Sequence, residues 1–140
     1  MNEKYIISTD KEKLNIHEIH DFLCNRSYWA KGRDLDQVRK SINNSICFGL
    51  YDMHSNMLGF ARVVSDGVAF AYLMDVFILE EYRGQGLGRK LVQHIIDYPD
   101  FEVRLFLLGT WDAHGLYKKL GFKELVDPSR YLAIVNQSRC

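Results

Sequence analysis

The sequence predicts a mixed α/β fold with a central sheet that is mostly antiparallel. Two segments near the start have apolar residues at helical spacing. Three apolar strands separated by short polar turns follow, a pattern typical of an antiparallel meander. A glycine-rich turn, an amphipathic helix and another strand come next, which is typical of an α/β unit. The chain of 140 residues shows no repeat or linker, so we expect one domain over residues 1–140.

The first half of the chain contains both helical and strand patterns. Residues 4–8 predict a strand and residues 15–25 an amphipathic helix. Gly32 interrupts the pattern, and Asp34 is a residue type that caps helices, so we expect a short second helix after it. Asp75 is the one acid in an otherwise apolar run, which is typical of a strand buried on both faces. The strands predicted here are 46–52, 57–64 and 68–79.

The second half alternates helices and strands. Residues 90–98 have apolar side chains on one helical face, and Pro99 ends that helix. A buried strand is expected at 103–108, and Asp112 is placed to cap a helix that runs to Leu120. Two final strands are predicted at 122–126 and 131–135.

Composition and charge disfavour several classes of protein. Eighteen Lys and Arg balance eighteen Asp and Glu, so no general attraction to nucleic acid or to an anionic membrane is expected. No apolar run is long enough to span a membrane, and the charged start at residues 1–4 does not read as a signal peptide. Cys24, Cys47 and Cys140 are widely spaced and odd in number, so neither a zinc site nor a disulfide framework is expected. Together these features favour the cytoplasm as the location of the protein.

A glycine-rich turn stands between the long strand and the helix after it. Residues 83–88 read Arg-Gly-Gln-Gly-Leu-Gly, and the glycines let successive backbone N–H groups face outward. At a helix N-terminus such groups bind anions, and Arg83 and Arg89 add positive charge. A pyrophosphate fits, but the spacing is neither that of a dinucleotide-binding turn nor that of a P-loop. A plain tight turn between strand and helix stays open as the alternative.

Two motifs resemble signatures of the GNAT N-acyltransferase superfamily. Residues 81–88 are similar to its acyl-CoA pyrophosphate loop, with Arg83, Gly86 and Gly88 at the three defining places. Residues 113–122 are similar to its second signature, A-x-x-L-Y-x-x-x-G-F. The order of predicted elements matches too, so the resemblance covers essentially the whole chain. It implies a single domain whose mostly antiparallel sheet binds acyl-CoA through its fourth strand, third helix and fifth strand.

The resemblance implies which residues hold acetyl-CoA, the co-substrate. The backbone of the fourth strand would pair with the pantetheine arm, and the glycine-rich turn would hold the pyrophosphate. Thr110 stands where the family often has an asparagine, and its hydroxyl can donate one hydrogen bond there. No metal is expected. The residues implied to bind acetyl-CoA are Val76, Phe77, Ile78, Arg83, Gly84, Gln85, Gly86, Leu87, Gly88, Arg89 and Thr110.

The resemblance also implies catalytic roles. Tyr117 matches the tyrosine of the second signature and is implied to be the general acid, since a phenol is protonated at neutral pH. The backbone N–H near Phe77 is implied to polarise the thioester carbonyl. Asp75 is a candidate general base, or a binding group for a cationic substrate. The alternative is a structural carboxylate that pairs with the backbone or with Arg62.

The acceptor amine is expected to bind between the first helices and the sheet. Residues 27–33 hold two aromatics beside two cations, which suits a pocket wall or lid. The alternative is a hydrophobic plug at a helix end. His20 and His114 are secondary candidates for the base, and Tyr131 is a further candidate for the cleft. The candidate substrate residues are Tyr28, Trp29, Arg33 and Arg62.

We therefore expect an N-acetyltransferase that moves an acetyl group from acetyl-CoA to a primary amine by direct attack in a ternary complex. No nucleophile–His–acid pattern favours a covalent acetyl-enzyme. The alternative is a CoA-binding sensor or docking module without turnover. The sequence does not distinguish a small-molecule amine from a protein amine. Small members of the family often dimerise, which leaves a homodimer open.

Overall fold

A five-stranded sheet organises the protein, and the computed structural model describes residues 4–136. Its strands are β1 (Tyr5–Ser8), β2 (Ile46–Asp52), β3 (Met57–Ser65), β4 (Phe70–Ile78) and β5 (Leu105–Leu108). They lie side by side in chain order. The pairs from β1 to β4 are antiparallel, whereas β4 and β5 are parallel. The predicted mixed α/β fold with a mostly antiparallel sheet is confirmed.

Four α-helices accompany the sheet in the part of the chain that is described. They are α1 (Ile16–Asp21), α2 (Leu35–Asn43), α3 (Leu87–Ile96) and α4 (His114–Lys119). From α1 the chain continues into a π-helical turn, Phe22–Arg26. The cap predicted for α2 is present, because the Asp34 side chain accepts from the Gln37 N–H and the Asp34 N–H donates to the Gln37 side chain. None of the helices within residues 4–136 has the length and apolar character that a membrane span requires.

Each face of the sheet carries its own apolar core. Because side chains alternate between the two faces of a strand, one sheet can serve both cores. Burying each large aliphatic side chain contributes about 1.5–3 kcal/mol, so both cores hold the sheet firmly. The α3 side chains of the first core are Leu87, Leu91, Val92 and Ile95. The side chains of α1, the π-helical turn and α2 in the second core are Ile19, Phe22, Leu23, Val38 and Ile42.

The sheet splits between β4 and β5. Their pairing ends at Leu73 on β4 and at Leu108 on β5. β4 continues to Ile78, so the edge of residues 74–78 has no β5 residue opposite it. The strands therefore leave a cleft whose one wall is unpaired backbone of β4.

A β-bulge lies in β4 at the start of this cleft. Phe77 pairs with Phe60 of β3, but the next pair is Met74 with Arg62, so β4 has one more residue than β3 over this stretch. Asp75 sits in the bulge with φ of +54°. A positive φ is unusual for a residue other than glycine and indicates a conformation that the surrounding structure enforces. The bulge turns the Asp75 side chain into the interior, where it is buried.

The last third of the chain departs from the prediction. Residues 122–126 and 131–135 are both described, and they belong to no strand. A strand needs a partner edge for its backbone groups, and a side-chain pattern does not show where that edge comes from. The predicted helix cap at Asp112 is also wrong, since α4 begins at His114. Instead the Thr110 hydroxyl oxygen accepts hydrogen bonds from the Asp112 and Ala113 N–H groups.

Candidate active site

The glycine-rich turn leads from the end of β4 into α3. Gly84 and Gly86 have φ of +84° and +77°, a region that glycine adopts at little cost. Gly86 is the N-cap of α3, and it provides no side chain to satisfy the first N–H groups of that helix. These N–H groups and the positive end of the helix dipole form a place where an anion can bind.

Hydrogen bonds hold this turn against the sheet. The Arg83 Nε donates to the Ile78 carbonyl at 3.0 Å, which ties the turn to the end of β4. The Gln85 side-chain amide donates to the Tyr82 carbonyl at 3.2 Å, and its oxygen accepts from the Tyr5 hydroxyl of β1 at 2.9 Å. Both polar ends of the Gln85 side chain are thus engaged within the protein. The Gln85 backbone N–H therefore remains available to donate a hydrogen bond to a ligand.

The open edge of β4 forms one wall of the cleft. Val76, Phe77 and Ile78 all lie beyond the last pair between β4 and β5. Backbone groups alternate along a strand, so part of theirs face β3 and the rest face the cleft. The Phe77 ring stacks on Phe22 with centroids 4.1 Å apart, which fixes the strand from the α1 side. An extended ligand with amide groups can pair with this edge as an added strand would.

Tyr117 lies on α4, beyond the end of β5. It lines a groove of about 680 Å³ together with Thr110 and His114. Its ring packs edge-on against Phe122, with centroids 5.8 Å apart. Burial raises the pKa of Tyr117 to about 12, and the nearby Tyr28 and Asp112 act in the same direction. The hydroxyl is therefore protonated through neutral and moderately alkaline pH, as a proton donor must be.

Asp75 accepts hydrogen bonds from three side chains. The Arg62 Nε donates to Oδ2 at 2.6 Å, and an Arg33 guanidinium nitrogen donates to the same oxygen at 2.7 Å. The Trp29 Nε1 donates to Oδ1 at 2.9 Å. The Asp75 side chain is 1% exposed, and each arginine side chain is 8% exposed. Both carboxylate oxygens are occupied, so Asp75 anchors the three donors to the sheet.

The loop of residues 27–33 connects Asp75 to the neighbourhood of Tyr117. The buried Ser27 hydroxyl bonds to backbone groups on both sides of it, which fixes the start of the loop. Trp29 reaches Asp75, as described above. The Tyr28 hydroxyl accepts from the Trp111 N–H at 3.2 Å, in the segment between β5 and α4. The Tyr28 and Trp29 rings pack edge-to-face with centroids 5.1 Å apart, so the loop presents two adjoining aromatic rings.

Comparison with known proteins decides the family. The family model described as acetyltransferase (GNAT) domain matches residues 43–124. A protein of Gibberella zeae that is named as an acetyltransferase is 32% identical to this chain over 142 aligned positions. That match covers 86% of this chain and 80% of the relative. The chain belongs to the GNAT acetyltransferase family.

Solved structures share the GNAT fold. The crystal structure of a GNAT-family protein from Xanthomonas campestris pv. campestris has a TM-score of 0.91 and 39% identity, and it covers 97% of this chain and 95% of that one. Spermidine N-acetyltransferase from Vibrio cholerae, solved with CoA and spermine, has a TM-score of 0.70 and 22% identity. That match covers 89% of this chain and 83% of the other. At 22% identity, the likeness to the Vibrio cholerae enzyme shows that the two proteins share a fold.

This GNAT protein brings many of the predicted site residues into two groups, while Thr110 and Tyr117 line the groove beside β5. The first comprises the β4 edge and the turn that follows it, with all the predicted acetyl-CoA residues from 76 to 89. The second is the cluster of Trp29, Arg33 and Arg62 around Asp75. Tyr131 lies apart from both, because it is exposed in the segment that follows the Pro128–Arg130 turn.

Two of the contacts that the sequence did not predict join distant parts of the GNAT chain. Arg33 pairs with Asp75 across 42 residues, where only Arg62 was considered as a charged partner. The Trp111 N–H meets Tyr28 across 83 residues. Nothing local in the sequence signals either contact, because both depend on where the loop of residues 27–33 lies on the folded sheet. Residues 4–136 contain no cluster of three or more His, Cys, Asp or Glu side chains able to hold a metal ion.

Proposed function

We propose that this GNAT protein is an N-acetyltransferase that moves an acetyl group from acetyl-CoA to a primary amine by direct attack in a ternary complex. The observation that carries the proposal is the split between β4 and β5. An anion-binding turn follows the end of one strand, and a protonated phenol, Tyr117, follows the end of the other. We place the reaction in the cytoplasm, the compartment that the sequence favours.

The residues along the cleft fit acetyl-CoA. The unpaired backbone of residues 76–78 suits the amides of a pantetheine arm. The N–H groups at the start of α3 and the exposed Arg83 and Arg89 suit a pyrophosphate. Acetyl-CoA supplies the acetyl group as an activated thioester. A backbone N–H of β4 that faces the cleft is placed to donate to the carbonyl oxygen as negative charge develops there.

Tyr117 acts as the general acid in this proposal. A phenol is already protonated at neutral pH, and burial raises the pKa of Tyr117 further, to about 12. It gives that proton to the leaving sulfur, which would otherwise depart as a thiolate. Cys47 is a poor alternative nucleophile, since it is buried and burial raises the pKa of its thiol to about 11. Direct transfer to the amine is therefore favoured over a covalent acetyl-enzyme.

Asp75 is a positioning residue in this proposal, and the general base is His114. Both Asp75 oxygens are held by neighbouring donors, whereas a base needs a lone pair that meets the amine. His114 lines the same groove as Tyr117, and its imidazole is exposed at the start of α4. Asp75 serves the reaction by fixing Trp29 and Arg33 in the wall of the acceptor site.

The proposed acceptor site has aromatic side chains along one wall. The Asp75 carboxylate is bound by neighbouring side chains and is not free to bind a cationic amine. Two buried arginines around one carboxylate leave the cluster with a positive charge, so it does not attract a cation. The half-exposed rings of Tyr28 and Trp29 can stack on an aromatic amine or face a cationic one. We therefore propose a small amine with an apolar or aromatic body as the acceptor. Polyamines serve as the cationic comparison in the same test.

A panel of amines tests the function through release of free thiol from acetyl-CoA. We expect release that depends on both substrates, with intersecting initial-rate lines as a ternary complex requires. Tyr117→Phe should lower kcat by about 100-fold or more, the usual contribution of general acid catalysis, with acetyl-CoA affinity unchanged. Tyr98→Phe is the matched control, because that phenol packs against Phe48 on the α3 side of the sheet.

Three outcomes separate the proposal from its alternatives. Binding of acetyl-CoA by calorimetry without thiol release from any amine would favour a CoA-binding sensor. Parallel initial-rate lines with an acetylated chain in the mass spectrum would replace direct transfer by a covalent intermediate. An unchanged kcat in Tyr117→Phe would remove the assignment of the general acid.

A further inference from the structure

Arg33 is a buried arginine that uses only part of its hydrogen-bonding capacity. Its side chain is 8% exposed, and one Nη donates to the Asp75 carboxylate at 2.7 Å. Within residues 4–136 its Nε and its other Nη have no hydrogen-bond partner. A guanidinium carries several N–H donors, and leaving them unmatched inside a protein costs free energy. Such a group is well suited to bind an acceptor that arrives with a ligand.

The unpartnered nitrogens of Arg33 are in contact with solvent. Among the buried residues of the described chain, the Tyr51 hydroxyl is the only side-chain polar group that is both fully enclosed and without a hydrogen bond. Because Arg33 is itself a buried residue, its unpartnered nitrogens would belong to the same class if the protein enclosed them completely. They are not enclosed, so an anionic group of a ligand can reach them.

The charges around Asp75 do not balance. Arg33 and Arg62 share this one carboxylate, so the cluster has one positive charge in excess. Arg62 is matched on a second side, because one of its Nη atoms donates to the Ser45 hydroxyl at 3.0 Å, just past the end of α2. The C-terminal end of a helix favours a positive charge. The excess charge is therefore least compensated at Arg33.

Arg33 ends the loop that carries the aromatic rings of the proposed acceptor site. Its backbone N–H donates to the Ala30 carbonyl at 3.0 Å, and the N-cap of α2 follows it directly. The Trp29 Nε1 donates to one oxygen of Asp75, and Arg33 donates to the other. One carboxylate thus holds an indole and a guanidinium close together. This pair can receive the apolar body and the anionic end of one ligand.

We propose that the acceptor amine carries a carboxylate and that Arg33 binds it, which makes Arg33 a specificity-determining residue. The inference rests on the proposed acetyl transfer and names its acceptor as an aminocarboxylate with an aromatic body. A single negative charge balances the excess charge of the cluster, and the two oxygens of a carboxylate match two nitrogens of one guanidinium. The carboxylate itself does not react. The amine nitrogen forms the new bond to the acetyl carbon, the bond from that carbon to sulfur breaks, and CoA leaves as the thiol.

Matched pairs of acceptors test the inference through thiol release from acetyl-CoA. Phenylalanine is compared with phenylalaninamide, and β-phenylalanine with its amide, so that each pair differs in one charge and the two pairs differ in spacing. We expect kcat/KM to be about tenfold higher or more for the acid of at least one pair, as a hydrogen bond between charged groups provides. The amide has the less basic amine, so easier deprotonation cannot cause this preference. Equal values within both pairs, or higher values for the amides, would overturn the inference.

Arg33→Gln should remove the preference by raising KM for the acid, with little change in kcat or in the constants for the amide. Arg33→Lys keeps the charge without the planar fork and should keep part of the preference. Arg26→Gln is the matched control, because Arg26 lies just before the loop and pairs with Asp21 and Glu80 instead. Circular dichroism checks the fold of each variant. A folded Arg33→Gln protein that loses acid and amide turnover equally would show a structural role and contradict the proposal. The wild-type comparison stands whether or not a variant folds.

Equilibrium binding separates this inference from the proposed function. Calorimetry measures phenylalanine, β-phenylalanine and their amides against the protein alone and against the protein with saturating CoA, which has no acetyl group to transfer. Tighter binding of an acid than of its amide, lost in Arg33→Gln, would support the carboxylate site even if no amine releases thiol. Thiol release together with equal binding of acids and amides would keep the acetyl transfer and reject the carboxylate site.

Discussion

Asp75 links three side chains that reach it from distant parts of the sequence. Its carboxylate binds Arg62 from the neighbouring strand, and Arg33 and Trp29 from the loop of residues 27–33. All the charged members are buried, so each of them depends on the others for compensation. At the scale of residues, the loop of residues 27–33, the proposed wall of the acceptor site, is therefore held against the sheet by one carboxylate.

Asp75→Asn should lower the free energy of unfolding by about 3–5 kcal/mol, because it leaves two buried arginines without a counter-charge. Trp29→Phe removes a single hydrogen bond and should cost about 1–2 kcal/mol. Urea unfolding measures both, with the exposed Asp100→Asn as the control. An Asp75→Asn protein as stable as the wild type would contradict this anchoring role.

The raised pKa of Tyr51 predicts how the stability of the protein changes at alkaline pH. Its hydroxyl is buried without a hydrogen-bond partner in the described chain, and burial raises its pKa from 10.0 to about 12. The folded state thus favours the neutral phenol, so this contribution is present below pH 10 and is lost as the pH rises toward 12. Tyr117 acts in the same pH window, because burial raises its pKa similarly.

Tyr51→Phe should stabilise the protein by about 1 kcal/mol at neutral pH, since it removes an unsatisfied buried hydroxyl. It should also lose less stability than the wild type between pH 10 and 12. Urea unfolding at both ends of that window measures the difference. An equal loss in the two proteins would mean that Tyr51 ionises as freely in the folded state as in the unfolded state.

At the scale of elements, the start of α3 is the proposed anion site. Gly86→Ala puts a side chain at φ of +77°, which costs about 1–2 kcal/mol of stability. The same change should weaken acetyl-CoA binding by about tenfold, because the first N–H groups of α3 are turned away from the ligand. Calorimetry measures the binding.

Gly67→Ala is a matched control for that change. Its φ is +78°, an added Cβ there meets nothing nearer than the Asp100 carbonyl at 3.9 Å, and it lies in the turn at the other end of β4. It should lose similar stability with acetyl-CoA affinity unchanged. Equal affinities in the Gly86 and Gly67 variants would remove the anion site from the start of α3.

Elements held by local signals were predictable from the sequence. β2 has the predicted bounds, Ile46–Asp52, and α2 begins after its predicted cap, Asp34. The turn at Asp66-Gly67 is formed as expected, since the Asp66 carboxylate accepts from the N–H groups of residues 68–70. In each case the deciding contacts lie within a few residues of one another.

What the sequence did not predict depends on distant contacts. The strands expected at 122–126 and 131–135 have suitable side chains, but neither segment pairs with a strand of the sheet, and side-chain pattern does not decide pairing. The bulge that buries Asp75 is set by the register of β3 against β4. The two motifs still located the turn and Tyr117, because each motif is contiguous and is carried by one element with its adjoining turn.

At the scale of the whole molecule, the zero net charge conceals an uneven distribution. Arg83 and Arg89 are exposed near the start of α3, whereas Asp75 is enclosed with Arg33 and Arg62 on the acceptor side. In the proposed function, the positive charge near the start of α3 would receive the phosphates of acetyl-CoA, and the aromatic side chains of residues 27–33 would face the amine.

The central claim is that acetyl-CoA binds in the cleft between β4 and β5. Hydrogen exchange with and without acetyl-CoA tests it most directly, because it maps where the ligand covers the backbone. We predict that acetyl-CoA slows exchange of the amides at residues 76–78 and 83–89, and leaves β1 and β2 unchanged. Protection confined to other parts of the chain, or no protection at a saturating concentration, would contradict the placement of acetyl-CoA in the cleft between β4 and β5.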